Sequence, residues 1–179
     1  MIEEVIIAGF GGQGLMLMGR LLAYAGMLEG KKVAWMPSYG PEMRGGTANC
    51  TVIISSEEIA SPVVHCPKAV IAMNKPSLDK FESTVQKDGL IILNDSLIKQ
   101  KVKRNDLKVV RVSANEIANK LGNLKVANMV ALGAYVKKSG VVKMETIFKV
   151  LGKTLTGPKE KLIDINKNAL KKGEETAIK

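Results

Sequence analysis

Glu4-Val5-Ile6-Ile7-Ala8-Gly9-Phe10-Gly11-Gly12-Gln13-Gly14-Leu15 decides the fold class. A short β-branched run breaks into glycines and then gives way to apolar residues at helical spacing. Leu15, Met18, Leu22 and Ala25 fall on one helix face in the stretch that ends at Glu29, so strand, glycine turn and helix follow one another. Gly30 stands where a helix end wants a residue free to take positive φ. Lys32-Val33-Ala34-Trp35-Met36 reads as the next strand, stopped by Pro37. Such a crossover is expected to be right-handed and to give parallel neighbours. The prediction is a single-domain, doubly wound (Rossmann-like), mostly parallel α/β sheet over residues 1–179, with helices on both faces.

The rest of the chain continues the pattern. Residues 47–54 are β-rich, turn chemistry follows at residues 57–62, and Ala69-Val70-Ile71-Ala72-Met73 is a continuous apolar strand. Pro76 opens a helix through Leu78, Phe81 and Val85, and Asp88-Gly89 leads into Leu90-Ile91-Ile92-Leu93, which makes a second crossover. Residues 107–112 are one more strand. Ser113 is placed to cap the helix after it, with Glu116 where a capping box wants it. Residues 126–136, 143–151 and 158–171 carry helical spacing, the last with lysine at its C-terminal end, where the helix dipole favours a cation.

Composition narrows the function classes. Aromatic residues make up only 4% of the chain against 46% hydrophobic, so the core must be aliphatic, the usual filling between a parallel sheet and its helices. The start lacks the basic flank and small-residue cleavage site of a signal peptide, and no apolar run approaches the ~18 residues of a membrane span. A cytoplasmic protein with no membrane contact is expected. Cys50 and Cys66 stand apart, without a CxxC pair, and read as buried strand residues of a reduced protein; no iron–sulfur cluster or zinc site can be assembled from them. The lone His65 has no nucleophile in a recognisable elbow and reads as structural. The net charge of +10 is uneven: residues 1–98 hold 8 Lys+Arg against 10 Asp+Glu, residues 99–179 hold 19 against 7. A basic half suits an acidic partner or a phosphorylated ligand. Nucleic acid is not expected as a partner, because stacking aromatics and a recognition motif are missing.

Gly9-Phe10-Gly11-Gly12-Gln13-Gly14 matches G-x-G-x-x-G in the context that motif requires, after a strand and before a helix. Gly11, Gly12, Gln13 and Gly14 are candidate contacts for a phosphate or carboxylate at the helix N-terminus. A dinucleotide site also demands an acid at the end of the second strand. That place holds Met36, Pro37 and Ser38, so a free-standing nucleotide-binding oxidoreductase is the weaker reading. The alternative is that the glycines serve tight strand–helix packing.

Pro37-Ser38-Tyr39-Gly40-Pro41-Glu42-Met43-Arg44-Gly45-Gly46 follows the second strand and should share a rim with the glycine turn, at the carboxyl edge of the sheet where open α/β folds bind ligands. Arg44 offers a planar fork to a carboxylate or phosphate, and Glu42 can orient it. Asn74, Lys75, Asp95 and Ser96 follow strands and also face this rim, without an assigned chemistry.

Taken together, Gly9-Phe10-Gly11-Gly12-Gln13-Gly14 and Ser38-Tyr39-Gly40-Pro41-Glu42-Met43-Arg44-Gly45-Gly46 resemble the gamma subunit of 2-oxoacid:ferredoxin oxidoreductases. The likeness continues through Ser61-Pro62, the strand at residues 70–74, Phe81, Asp88-Gly89 and residues 166–173. The resemblance implies an enzyme that converts a 2-oxoacid and CoA to acyl-CoA and carbon dioxide while reducing ferredoxin. It implies partner alpha, beta and possibly delta subunits. Thiamine diphosphate, Mg and [4Fe-4S] clusters sit in those partners, CoA is co-substrate, and this chain binds no cofactor alone. The gamma subunit then supplies scaffold and active-site wall, with no catalytic residue of its own. By carry-over, Ser38, Tyr39, Gly40, Glu42, Arg44, Gly45 and Gly46 face the assembled active site, and Arg44 is the leading anion contact. The loop's form looks most like the 2-oxoglutarate enzymes, with branched-chain 2-oxoacid enzymes as the alternative.

Overall fold

The computed structural model describes residues 1–39 and 46–178. Among them six strands form one sheet: β1 (Ile2–Phe10), β2 (Lys32–Tyr39), β3 (Thr47–Ser55), β4 (Ala69–Ala72), β5 (Leu90–Asn94) and β6 (Lys108–Val112). Their spatial order is β2-β3-β1-β4-β5-β6. β1, β4, β5 and β6 are parallel, while β3 is antiparallel to both β1 and β2. The helices are α1 (Leu15–Leu28), α2 (Lys75–Phe81), α3 (Ala114–Lys120), α4 (Ala127–Ser139), α5 (Met144–Thr154) and α6 (Ile163–Ile178).

The mostly parallel, doubly wound sheet is as expected, but its first crossover is not. β2 runs in the direction of β1 yet is not its neighbour. β3 lies between them, paired with β1 from Ile2↔Ser55 to Phe10↔Thr47. That register sets Val5 against Val52 and Ile7 against Cys50 on one face, and burying this row outweighs the default of adjacent parallel strands. Pro37 does not stop β2, which continues to Tyr39 with Pro37 opposite Cys50. An edge strand tolerates a residue without an N–H donor.

Alternation along the strands builds two unequal cores. Val5, Ile7, Val52, Ile71 and Ile92 face α1, α4, α5 and α6 in the larger one. Ile6, Ala8, Val70, Ala72, Ile91 and Leu93 face Leu78 of α2, with Ile98, Val102 and Leu107 closing the smaller one. Helices therefore lie on both faces, most of them on one. α4 is buried along most of its length and lies so close to α6 that a Cβ on Gly133 would meet Leu170 O at 2.0 Å.

Several local expectations change. Ser113 is at the N-cap of α3, but its side chain caps nothing. Ser96 Oγ instead accepts the N–H groups of Asn115 and Glu116. Helix α6 runs on to Ile178, so Lys171 and Lys172 sit inside it rather than at its end. Cys50 is buried in β3 as expected, whereas Cys66 is exposed outside the strands, in the turn-rich segment before β4.

Candidate functional site

The connection leaving β1 carries the chain to the β3–β2 side of the sheet, and β4, β5 and β6 continue on the other side. The two directions part between β1 and β4, and the crevice at the carboxyl ends of these strands is where such sheets hold ligands. The glycine turn opens from the end of β1, Met73 and Asn74 follow β4, and Asn94 ends β5. A cavity of about 350 Å³ sits there, lined by Gly12, Gln13, Met73, Asn115, Lys125 and Asn128 among others.

The turn is organised by its own side chain. Gln13 Oε1 accepts the Phe10 N–H at 2.6 Å, and the Gln13 N–H returns to Phe10 O. The Gly11 N–H donates to Gly46 O at 2.9 Å, which ties the turn to the last residue of the second loop. Two of the turn's donors are thus used within it and a third on Gly46. What remains is the start of α1, whose N-cap is Gly14 at φ 75° with no side-chain cap and no acid in the first turn. Unfilled N–H groups at a helix start attract an anion, and Lys125 is the one cation among the described residues that line this cavity. Across the crevice, Asn128 Nδ2 donates to Gly14 O at 3.2 Å. A Cβ on Gly14 would lie 2.3 Å from that nitrogen, and one on Gly9 would lie 2.3 Å from Gln13 Oε1. These two glycines therefore serve close packing, whereas Gly12, at φ 95°, faces open space.

The neighbouring polar residues form a carboxamide cluster. Asn94 Nδ2 donates to Met73 O and to Asn115 Oδ1, and Asn74 Oδ1 caps α2 by accepting the Ser77 N–H. Asn74 is 3% and Asn94 1% exposed, and Asn74 Nδ2 and Asn94 Oδ1 have no partner among the described residues. Lys75 pairs with Asp79, and Asp95 pairs with Arg111. Asp95 and Lys75 thus hold local structure, as Ser96 does by capping α3.

Of the residues singled out in the sequence, Gly11, Gly12, Gln13, Gly14 and Gly46 meet at this rim. Ser38 and Tyr39 lie at the end of β2, two strands from β1, exposed to solvent. Gly40, Glu42, Arg44 and Gly45 fall outside the described residues. A dinucleotide site has lost its geometry as well as its acid, since β3 occupies the place beside β1 where the ribose-holding strand belongs. Asn115, Lys125 and Asn128 were missed. Asn128 carried a signal, being a lone carboxamide early in an apolar helical run.

Among the described residues no three His, Cys, Asp or Glu side chains are grouped to hold a metal. The described residues that line the cavity by the glycine turn include no carboxylate, so they do not by themselves fit a magnesium diphosphate.

With this geometry in place, comparison with known proteins fixes the class. Residues 4–176 match the pyruvate ferredoxin/flavodoxin oxidoreductase family, and the chain belongs to it. Within that family it is 41% identical, over 98% of its length, to ketoisovalerate oxidoreductase subunit VorA of Methanothermobacter marburgensis, of which it spans only 37%. It is 33% identical to 2-oxoglutarate synthase subunit KorC of Methanocaldococcus jannaschii, over 99% of this chain and 95% of that one. The crystal structure of the keto/oxoacid ferredoxin oxidoreductase gamma subunit from Geobacter sulfurreducens superposes with a TM-score of 0.84 at 31% identity, covering 98% of both chains. The family resemblance read from the two loops is borne out.

Proposed function

We propose that this chain is the gamma subunit of a 2-oxoacid:ferredoxin oxidoreductase. The observation that carries the reading is its membership of the family over residues 4–176, together with the hydrogen bond that joins the glycine turn to Gly46. In the assembled enzyme a 2-oxoacid and CoA become acyl-CoA and carbon dioxide, and two electrons pass to ferredoxin. Thiamine diphosphate with its Mg, held by the alpha and beta subunits, supplies the carbanion chemistry, and [4Fe-4S] clusters in partner subunits carry the electrons. The work of this chain is scaffolding and positioning. The α1 N-terminus and Lys125 hold an anionic group at the rim, and the carboxamides of Gln13, Asn115 and Asn128 orient polar atoms beside it. Ser38, Tyr39 and the loop that carries Glu42 and Arg44 close the wall toward the partner subunits.

2-Oxoglutarate is the leading substrate, supported by the end-to-end match with KorC. A branched-chain 2-oxoacid is the second reading, favoured by the higher identity to VorA. Co-expression with the candidate alpha, beta and delta partners tests both. Co-elution in size-exclusion chromatography, with CoA- and 2-oxoacid-dependent reduction of a low-potential acceptor that requires this chain, supports the subunit reading. The preferred oxoacid separates the two substrates. A chain that elutes apart and leaves activity unchanged rejects the subunit reading.

A further inference from the structure

The amino edge of the sheet, opposite the rim, carries a second cleft of about 560 Å³. Separate segments bring lysines to it: Lys68 ahead of β4, Lys87 ahead of β5, Lys108 at the start of β6 and Lys138 at the end of α4. Among the described residues that line the cleft, only Glu3 and Asp88 oppose them. Local structure explains two of the four. Lys68 donates to Ile2 O, and Lys138 complements the C-terminal end of the α4 dipole. Lys87 and Lys108 are exposed and make no ion pair among the described residues; Lys87 has only a through-space attraction to Asp106, and nothing in the local structure explains Lys108. Like charges drawn around one recess repel one another, a cost that a bound anion reverses. At the base, Glu3 Oε1 accepts from the Tyr135 hydroxyl at 3.2 Å, and Tyr135 is fully buried.

We propose that this cleft binds a small polyanion of the di- or triphosphate class, gripped by Lys87, Lys108 and Lys138, with hydroxyl groups of the ligand turned toward Glu3. The described residues of the lining include lysine and no arginine. That favours phosphate, which lysine binds as a point charge, over the paired carboxylate geometry that arginine matches. A concave site with a recessed base favours a small molecule over a flat protein surface. The site is separate from the rim and does not depend on the choice of 2-oxoacid.

Isothermal titration of the full chain with sodium pyrophosphate at low ionic strength tests it, with Lys108→Glu, Lys138→Glu and, as an equal charge change on the distant face of α5, Lys153→Glu. Saturable one-to-one binding is expected, weakened about tenfold or more by either cleft variant and unchanged by Lys153→Glu. Glu3→Gln, which removes the negative charge at the base, tightens it. Absence of saturable heat overturns the proposal, as does an equal loss with Lys153→Glu or weaker binding by Glu3→Gln.

Discussion

Gly14 shows what the glycine motif does in this chain. Its left-handed backbone and the Asn128 carboxamide 2.3 Å from a would-be Cβ mean that any other residue is strained there and must displace Asn128. Gly14→Ala should cost about 2–3 kcal/mol, from the left-handed conformation and the loss of the Asn128–Gly14 hydrogen bond. Gly12→Ala, strained but facing open space, should cost less. Urea unfolding of the two variants checks this, and equal losses would remove Asn128 from the explanation. The sequence showed that glycines were needed here; it did not show that Gln13 and Asn128 fill the space around them, because Asn128 lies 114 residues from Gly14. Glu29 makes a similar long-range link. Its carboxylate accepts the Lys143 N–H at the start of α5 and pairs with Lys31. Burial pushes its pKa up, but the Lys143, Lys31 and Thr146 hydrogen bonds outweigh that and hold it below the usual carboxylate range. The sign follows: a carboxyl depressed in the folded state stabilises above its unfolded pKa, and that stability is lost as pH falls through the folded value. Glu29→Gln should lower the melting temperature at pH 7 and leave the two proteins nearly equal near pH 3, as read by thermal unfolding.

At the scale of elements, strand and helix existence was legible wherever the period was clean, as in β1, α1, β4 and β5. Partners were harder to read. A strand of alternating residues such as β3 fits either orientation, and only its apolar register with β1 settles the antiparallel choice. Capping failed for a comparable reason: Ser113 has the right spacing, yet the acceptor of the first N–H groups of α3 is Ser96, carried in by the segment after β5. Ser96→Ala should therefore cost about 1 kcal/mol while Ser113→Ala costs a few tenths, a contrast that denaturant midpoints resolve. The α4–α6 contact was invisible in the sequence. Gly133 and Gly173 pack against the backbone of the facing helix, with would-be Cβ contacts of 2.0 Å to Leu170 O and 1.9 Å to Val130 O. Gly133→Ala gains helix propensity of about 1 kcal/mol, but it must push the helices apart, so a net loss of several kcal/mol is expected in the same measurement.

For the whole molecule, the two cores differ in size because α1, α4, α5 and α6 crowd one face, while α2 and residues 97–107 cover only part of the other. β2 is left as an edge strand with Met36 and Tyr39 exposed, and Phe10 is exposed at the end of β1. Exposed apolar side chains on an edge strand and at a strand end are surface that a subunit interface would cover. The fold class could be read from the sequence, and so could the place of the glycine turn at the carboxyl edge. The composition of the rim could not, because Lys125, Asn115 and Asn128 reach it through tertiary packing. Tyr39 separates folding from assembly. It is 57% exposed, so it contributes little to the isolated chain. Tyr39→Lys should leave stability within about 0.5 kcal/mol of the original. Within the reconstituted oxidoreductase the same change places a charge where a partner surface should close, so co-elution with the alpha and beta subunits should weaken and turnover should fall about tenfold or more. A variant that assembles and turns over normally would show that β2 faces solvent in the complex, and would move the wall of the active site to the glycine turn alone.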